Sequence, residues 1–293
     1  MTQLWSNGQW LGAGDFTASP ADRGLTLGLG LFETLLAMDG TPVFAERHLA
    51  RLRGGCARLG WNPQLPDLQE IMRELIHRNG LTTGRARIRL AITGGSGPPR
   101  DLSLGADHRV WMTAVRAAES FPTTTANLSP WVRNERSPLA GLKCASYAEN
   151  LLALEHAARL GFEETVFLNT AGHLCEAATS NIFIVKNGGL LTPPPASGCL
   201  PGITREVVLG LAEQQGISCR ECDLTPDDLH VADELFLTSS VRGLAGIAQF
   251  AERTFPPGQV TRALREAWTA AIHAVTHAHP CRTGPVPASF HCW

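Results

Sequence analysis

The chain has 293 residues, of which 44% are hydrophobic and 18% are charged, and its formal net charge is −2. This composition is that of a globular protein with a sizeable core and excludes a disordered chain. The charge shows no basic excess for nucleic acid, and no apolar run approaches the ~20 residues of a membrane helix. The N-terminal residues lack the features of a signal peptide, so the predicted compartment is the cytoplasm.

The first part of the chain predicts a mixture of strands and helices. Gly, Asn and Asp at turns separate segments whose apolar residues recur with the period of a strand or of a helix. The predicted elements are a hairpin over 3–11, a buried strand over 25–38, a short strand over 41–44, helices from residue 46 and over 67–78, and strands over 85–93 and 109–116.

Residues 119–129 are polar and include Pro122, which predicts a linker between two domains. A chain of this length is also long enough for two domains. The sequence therefore predicts a smaller α+β domain over 1–118, a larger domain over 130–280 and a C-terminal tail over 281–293.

The second part again mixes both element types. Helices are predicted over 145–160, from Thr204 to Gly216 and over 260–275, and strands over 165–168, 182–185 and 234–238. The pattern predicts a mixed α/β (α+β) fold without the regular alternation of a Rossmann fold. No dinucleotide or P-loop glycine motif is present.

Lysine occurs only twice, at positions 143 and 186. Lys186 stands in a turn, whereas Lys143 is flanked by apolar and small residues. A lysine in such a setting has a lowered pKa and can form a Schiff base. The same pattern also fits a helix-start lysine whose charge stays in water.

Several further side chains are candidates for binding a charged ligand. Glu176 lies at the start of an apolar strand, where a carboxylate calls for a cationic partner or solvent. Ile203 and Thr204 begin a helix whose free amides suit a phosphate, although Thr204 is equally good as a simple helix cap. Ser239 and Ser240 end a strand, and Arg51 can supply a guanidinium for the same anion.

A Schiff-base lysine, a carboxylate and a phosphate site together describe pyridoxal 5′-phosphate. The order and spacing of these residues resemble the fold-type IV (class IV aminotransferase-like) pyridoxal-phosphate enzymes. The resemblance covers about residues 20–250. It rests on GLGLFETL, ERHLARL at 46–52, AGLKCASYAEN at 140–150, EAATSNIF at 176–183, LPGITREVV at 200–208 and DELFLTSS at 233–240.

The resemblance implies a two-domain fold like that of D-amino acid aminotransferase, with the cofactor between the domains, and a homodimer. It assigns Lys143 to the covalent bond with the cofactor and Glu176 to the ring nitrogen. It assigns binding of the cofactor's phosphate to Arg51, Ile203, Thr204, Ser239 and Ser240. The remaining assignments are Tyr147 to the cofactor ring, and Phe32 and Arg109 to the substrate.

Among the activities of these enzymes, the resemblance is greatest to 4-amino-4-deoxychorismate lyase, which makes 4-aminobenzoate and pyruvate through a quinonoid intermediate. The alternative is transamination of branched-chain amino acids, D-amino acids or amines with a 2-oxo acid. The two reactions use the same machinery and differ in the substrate pocket. No metal site is predicted, because His273, His277 and His279 lack a further ligand at suitable spacing. The eight cysteines are interpreted as free thiols.

Overall fold

Two β-sheets and seven α-helices make up residues 2–277, which are the residues that the computed structural model describes. The predicted tail over 281–293, the end of the predicted larger domain and His279 lie outside the described residues. No helix in the described part of the chain combines the length and the apolar character needed to cross a membrane. The mixed fold class predicted from the sequence is confirmed.

The strands of the first sheet are β1 (Gln3–Ser6), β2 (Gln9–Gly12), β3 (Gly30–Met38), β4 (Thr41–Pro42), β5 (Arg85–Thr93) and β6 (Val110–Arg116). The sheet is antiparallel throughout, in the order β2-β1-β6-β5-β3-β4. One face packs on helices α2 (Ala45–Arg58) and α3 (Leu68–Arg78), because alternate strand residues such as Leu35, Ile88 and Met112 are apolar and buried.

The strand predicted over 25–38 is shorter than expected. Asp22 caps a single helical turn, α1 (Arg23–Thr26), by accepting a hydrogen bond from the amide of Gly24. The sequence there is apolar, but a short capped turn satisfies its backbone groups before the strand begins at Gly30.

The strands of the second sheet are β7 (Thr123–Arg133), β8 (Glu164–Asn169), β9 (Leu174–Ala177), β10 (Asn181–Lys186), β11 (Gly189–Thr192), β12 (Cys219–Glu221), β13 (Glu234–Ser239), β14 (Gly243–Phe250) and β15 (Arg253–Thr254). The sheet is mixed, in the order β12-β11-β10-β13-β14-β7-β8-β9, with β15 paired to β14. The helices of this part of the chain are α4 (Ala148–Arg159), α5 (Ile203–Gln214), α6 (Pro226–His230) and α7 (Gln259–His277).

Most of the predicted linker is strand rather than loop. Residues 123–129 form the first part of β7, which pairs in parallel with both β14 and β8 inside the second sheet. The polar residues there misled the prediction, because Thr124 and Asn127 are buried within the sheet. Between β6 and β7 only residues 117–122 connect the sheets. The division into two domains stays a prediction.

Residues 143–145 join the two parts of the structure. The amide of Phe32 donates to the carbonyl of Lys143 at 2.9 Å, and the amide of Ala145 donates to the carbonyl of Gly30 at 2.8 Å. Leu31 and Cys144 thus form a β-bridge. This pairing explains why helix α4 begins at Ala148 and not at the predicted position 145.

Candidate active site

A cavity of about 600 Å³ is lined by residues from both sheets and from the segments between them. Its walls include strands β3 and β5 of the first sheet and strands β9 and β13 of the second. Nine of the ten predicted site residues line it. They are Phe32, Arg51, Lys143, Tyr147, Glu176, Ile203, Thr204, Ser239 and Ser240.

Arg109, predicted to bind substrate, does not line this cavity. It directly precedes β6, where its amide donates to the hydroxyl of Thr93 at 3.0 Å and its carbonyl accepts from the Thr93 amide at 2.9 Å. The prediction placed Arg109 in the site by resemblance. In the structure the arginines of the neighbouring strand β5 reach the cavity instead.

Lys143 lies on the cavity wall with its Nζ 4.5 Å from the ring centre of Phe32. Within residues 2–277 its side chain has neither a hydrogen-bond acceptor nor an ion-pair partner. Burial, assisted by the positive charge of Arg51, lowers the pKa of Lys143 to about 8. A substantial fraction of the amine is therefore neutral and nucleophilic in mildly alkaline solution.

Glu176 lies on β9 with its side chain only 12% exposed. Its Oε2 accepts a hydrogen bond from the amide of Leu200 at 2.8 Å, and its Oε1 lies 3.8 Å from Nη2 of Arg133. Burial raises the pKa of Glu176, and the nearby charges of Arg133 and Lys143 oppose that rise. The structure therefore provides the cationic partner that the sequence could not identify.

Unpaired polar groups surround the start of helix α5. The hydroxyls of Thr204 and Thr238 are buried and have no hydrogen-bond partner among the described residues, and both side chains line the cavity. The first amides of the helix also lack acceptors within it. A side chain at the helix cap, Gly202, would collide with Asn181, whose Oδ1 lies 2.0 Å from the position of a Cβ. The glycine is therefore required by close packing against Asn181, and the unpaired hydroxyls and helix amides beside it suit an anion such as phosphate.

Arg51 makes contacts that the sequence did not predict. Its Nε and Nη2 donate to the two carboxylate oxygens of Glu33 at 2.8 and 2.6 Å, and its Nη1 donates to the carbonyl of Pro201 at 3.0 Å. His48 Nδ1 lies 2.7 Å from Glu33, and His48 Nε2 lies 3.4 Å from the hydroxyl of Ser240. The buried carboxylate of Glu33 therefore fixes the orientation of the Arg51 side chain.

The charge states of this network follow from burial and pairing. Burial acts to raise the pKa of Glu33, but hydrogen bonds from Arg51 and His48 outweigh it and hold the pKa below the usual value. Burial lowers the pKa of His48, which is therefore neutral near pH 7. An acidic residue inside the apolar run GLFETLLAM was the signal for this site, and our prediction did not use it.

Tyr147 lies at the N-terminus of α4 with its ring edge against Phe32, at a centroid distance of 5.5 Å. Its hydroxyl donates to the carbonyl of Ala178 at 3.0 Å. Burial, and then the negative charge of Glu176, raise the pKa of Tyr147 to about 12. The phenol therefore stays protonated at physiological pH and serves as a donor.

Four more arginines line the cavity: Arg87, Arg89, Arg133 and Arg242. Arg89 lies over the ring of Phe32 at 4.0 Å, and burial lowers its pKa. Among residues 2–277, the side chains of Arg87 and Arg89 donate no hydrogen bond and form no ion pair. They occupy alternate positions of β5 and so project from one face. The alternation of these arginines with apolar residues was visible in the sequence. Which face of the sheet the arginines occupy could be assigned only from the register of the strands.

Across the described range 2–277, no group of three or more His, Cys, Asp or Glu side chains is arranged to hold a metal ion. His273 and His277 lie one turn apart on the exposed surface of α7.

The model of the amino-transferase class IV family matches residues 30–250, which include every residue lining the cavity. The chain is 30% identical over 286 residues to the branched-chain-amino-acid aminotransferase of Salmonella typhimurium, covering 90% of this chain and 91% of that protein. It is 28% identical over 271 residues to the bifunctional aminodeoxychorismate lyase / D-amino acid transaminase of Mycobacterium tuberculosis, covering 86% and 92%.

Two solved structures extend the comparison. The branched-chain amino acid aminotransferase of Escherichia coli superposes with a TM-score of 0.84 at 26% identity, covering 92% of this chain and 94% of that chain. The PLP-bound form of a hypothetical aminotransferase of Mycobacterium tuberculosis gives a TM-score of 0.80 at 25% identity, covering 92% and 98%.

Proposed function

Because the chain belongs to the amino-transferase class IV family, whose members depend on pyridoxal 5′-phosphate, we propose that it transfers an amino group from an amino acid to a 2-oxo acid. One observation carries the proposal: the cavity is lined by a lysine with an available amine, a buried carboxylate, and two threonines whose buried hydroxyls have no partner among the described residues. The relatives named as transaminases cover most of the chain and support the same reaction.

The residues present fit the cofactor. Lys143 would bind it covalently, and Glu176 would face its ring nitrogen. Its phosphate would be held by the hydroxyls of Thr204 and Thr238 and by the first amides of α5, beginning at Ile203, because these groups lack partners of their own. Four further side chains of the cavity wall complete the proposed binding site: Arg51, Tyr147, Ser239 and Ser240.

When bound, the cofactor supplies an electron-withdrawing ring that stabilises negative charge at the substrate's α-carbon. Lys143 supplies the proton transfers, since an amine with a pKa of about 8 both accepts and returns a proton near neutral pH. Tyr147 stays protonated and its only O–H donates to the carbonyl of Ala178, which leaves the phenolic oxygen able to accept a hydrogen bond from a ligand. Phe32 provides a flat apolar wall beside Nζ of Lys143.

The proposed substrates are dicarboxylates, such as glutamate and 2-oxoglutarate. Arg87 and Arg89 bring two positive charges to one side of the cavity, and no acidic side chain of the described residues pairs with either. The guanidinium of Arg89 is partly removed from water and therefore favours an anionic partner, and a carboxylate matches its planar donors. A purely aliphatic substrate side chain would leave Arg89 without an anionic partner.

The test measures amino transfer by the cofactor-loaded enzyme, using glutamate, leucine and alanine of each configuration as donors and 2-oxoglutarate or pyruvate as acceptors. We expect kcat/KM for 2-oxoglutarate to exceed that for pyruvate by about tenfold or more, because a charge-assisted contact contributes about 1.5–3 kcal/mol. A failure of every donor and acceptor pair would refute transamination.

A second candidate is 4-amino-4-deoxychorismate lyase, favoured by the relative named as a bifunctional lyase and transaminase. Its substrate is a ring diacid, which the same arginines could bind. The assay supplies 4-amino-4-deoxychorismate and measures pyruvate and 4-aminobenzoate. Stoichiometric release of both products without a 2-oxo acid would establish the lyase. The homodimer implied by the resemblance stays a prediction, which light scattering in solution tests.

A further inference from the structure

Arg133 ends strand β7 and points into the cavity wall beside Glu176. Two residues of β7 are inserted between its pairings with β8 at Leu128 and Val132, and this irregularity sets the direction of the strand end. Nη2 of Arg133 lies 3.8 Å from Oε1 of Glu176, and Nη1 lies 3.4 Å from Oε2 of Glu149. The guanidinium also covers the ring of Phe167, 4.5 Å from its centre.

The guanidinium is held in place without taking up the free oxygen of Glu176. Nε and Nη2 of Arg133 are buried, and within residues 2–277 neither has a hydrogen-bond partner. Stacking on Phe167 and attraction to Glu149 fix the group where its charge acts on Glu176. Because Oε2 of Glu176 accepts from Leu200, Oε1 stays available to a ligand in the cavity.

We propose that Arg133 is a positioning residue that keeps Glu176 negatively charged, so that the proton shared between Glu176 and the cofactor's ring nitrogen stays on the ring. This inference rests on the proposed assignment of Glu176 to that nitrogen. In this role Arg133 acts only through Glu176; its described contacts are with Glu149, Glu176 and Phe167.

The direction in which loss of Arg133 would shift the basicity of Glu176 follows from the groups that surround this carboxylate. Burial raises its pKa, and among the charges that oppose burial Arg133 acts most strongly. Without Arg133 the carboxylate becomes more basic, and the shared proton moves from the ring nitrogen to Glu176. A ring without that proton withdraws electrons less well. The other charged or titratable groups acting on or near Glu176 are Cys175 on its own strand and, from other segments, Lys143, Tyr147, Arg51 and Cys199.

The experiment loads the enzyme with cofactor labelled with nitrogen-15 in the ring and records its chemical shift, which reports directly whether that nitrogen is protonated. In Arg133→Met we expect the resonance to move towards that of neutral pyridine. We expect Arg133→Lys to retain most of the parent's shift. A carboxyl made one pKa unit more basic displaces the proton equilibrium about tenfold. In kinetics, kcat should therefore fall about tenfold while KM changes little.

A double variant separates this role from a structural one. In the Glu176→Gln background, Arg133→Met should change neither the resonance nor kcat further, because its route of action is gone. An unmoved resonance in Glu176→Gln alone would refute the assignment of Glu176 and the role of Arg133 together. A resonance that moves in Glu176→Gln but not in Arg133→Met would overturn the role of Arg133 alone. If Arg133→Met does not fold, Arg133→Gln makes the same comparison with a neutral polar side chain.

Discussion

Replacing Glu33 by glutamine should destabilise the cofactor-free protein strongly. The Glu33 side chain is 1% exposed and accepts two hydrogen bonds from Arg51 and one from His48, all between 2.6 and 2.8 Å. Glutamine keeps the shape but removes the charge, and it turns an amide NH2 towards a donor. Breaking a buried ion pair from one side costs about 3–5 kcal/mol. Since one acceptor oxygen remains, we expect about 3 kcal/mol.

The assay is equilibrium unfolding in urea, with Glu46→Gln as the matched control. Glu46 pairs with Arg53 at 2.8 Å, but the two side chains are 62% and 58% exposed. An exposed pair contributes about 0–1 kcal/mol, so the control should unfold close to the parent. If Glu33→Gln unfolded at the same urea concentration as Glu46→Gln, the buried network would not stabilise the fold as we reason.

The pH dependence gives a second check on the same variant. Because the pKa of Glu33 is lowered in the folded state from its usual 4.5, its charge stabilises the protein above that pH. This contribution is lost as the pH falls through the folded-state pKa. The gap in stability between the parent and Glu33→Gln should therefore narrow in acid and stay constant from neutral pH upwards. A gap that widened in acid would contradict the charge state assigned here.

Three further predictions concern the cavity. The rate of covalent cofactor loading should rise with pH and level off above about 8, since the pKa of Lys143 is about 8. Stopped-flow absorbance measures this rate, and Lys143→Ala should show no loading. A rate that did not change with pH would contradict the assignment of Lys143. Thr204→Val and Thr238→Val should each weaken cofactor binding by about 2–10-fold in equilibrium dialysis, because each removes one neutral hydroxyl contact of about 0.5–1.5 kcal/mol. Unchanged affinity in both variants would mean that the phosphate binds elsewhere. Arg89→Lys should raise KM for 2-oxoglutarate about tenfold and KM for pyruvate far less, whereas Arg116→Lys, outside the cavity on the same sheet, should change neither.

Much of the fold could be read from local patterns. The strand Arg85–Thr93 was predicted at its observed bounds, because apolar residues alternate with arginines from Arg85 to Leu90 and the strand ends before a glycine-rich loop. The helix after Gly202 was also predicted, since a glycine and a hydroxyl residue precede a run with helical period. Strand β7 was missed. Its neighbours in the sheet come from distant parts of the chain, and long-range pairing can bury threonine and asparagine that look like a loop.

Some residues of the candidate site could likewise be predicted from the sequence, and others could not. Lys143 stood out because its neighbours in the sequence are apolar, and the cavity contains it. Arg89 and Arg133 did not stand out. Whether a strand residue faces a cavity or solvent depends on the register of the sheet, which one-dimensional alternation leaves undetermined. Glu33 could have been found, because a lone acid in a buried strand requires partners.

The pairing of residues 143–145 with β3 limits how this protein can be recombined. Lys143 belongs to the later part of the chain, but its backbone position is fixed by two backbone hydrogen bonds between residues 143–145 and β3 of the earlier part. A chimera joined between 117 and 122 would exchange that strand while keeping the lysine, and any mismatch in the twist of the foreign sheet would be transmitted to Nζ. The halves are therefore not interchangeable modules, and we expect their sequences to have diverged in concert.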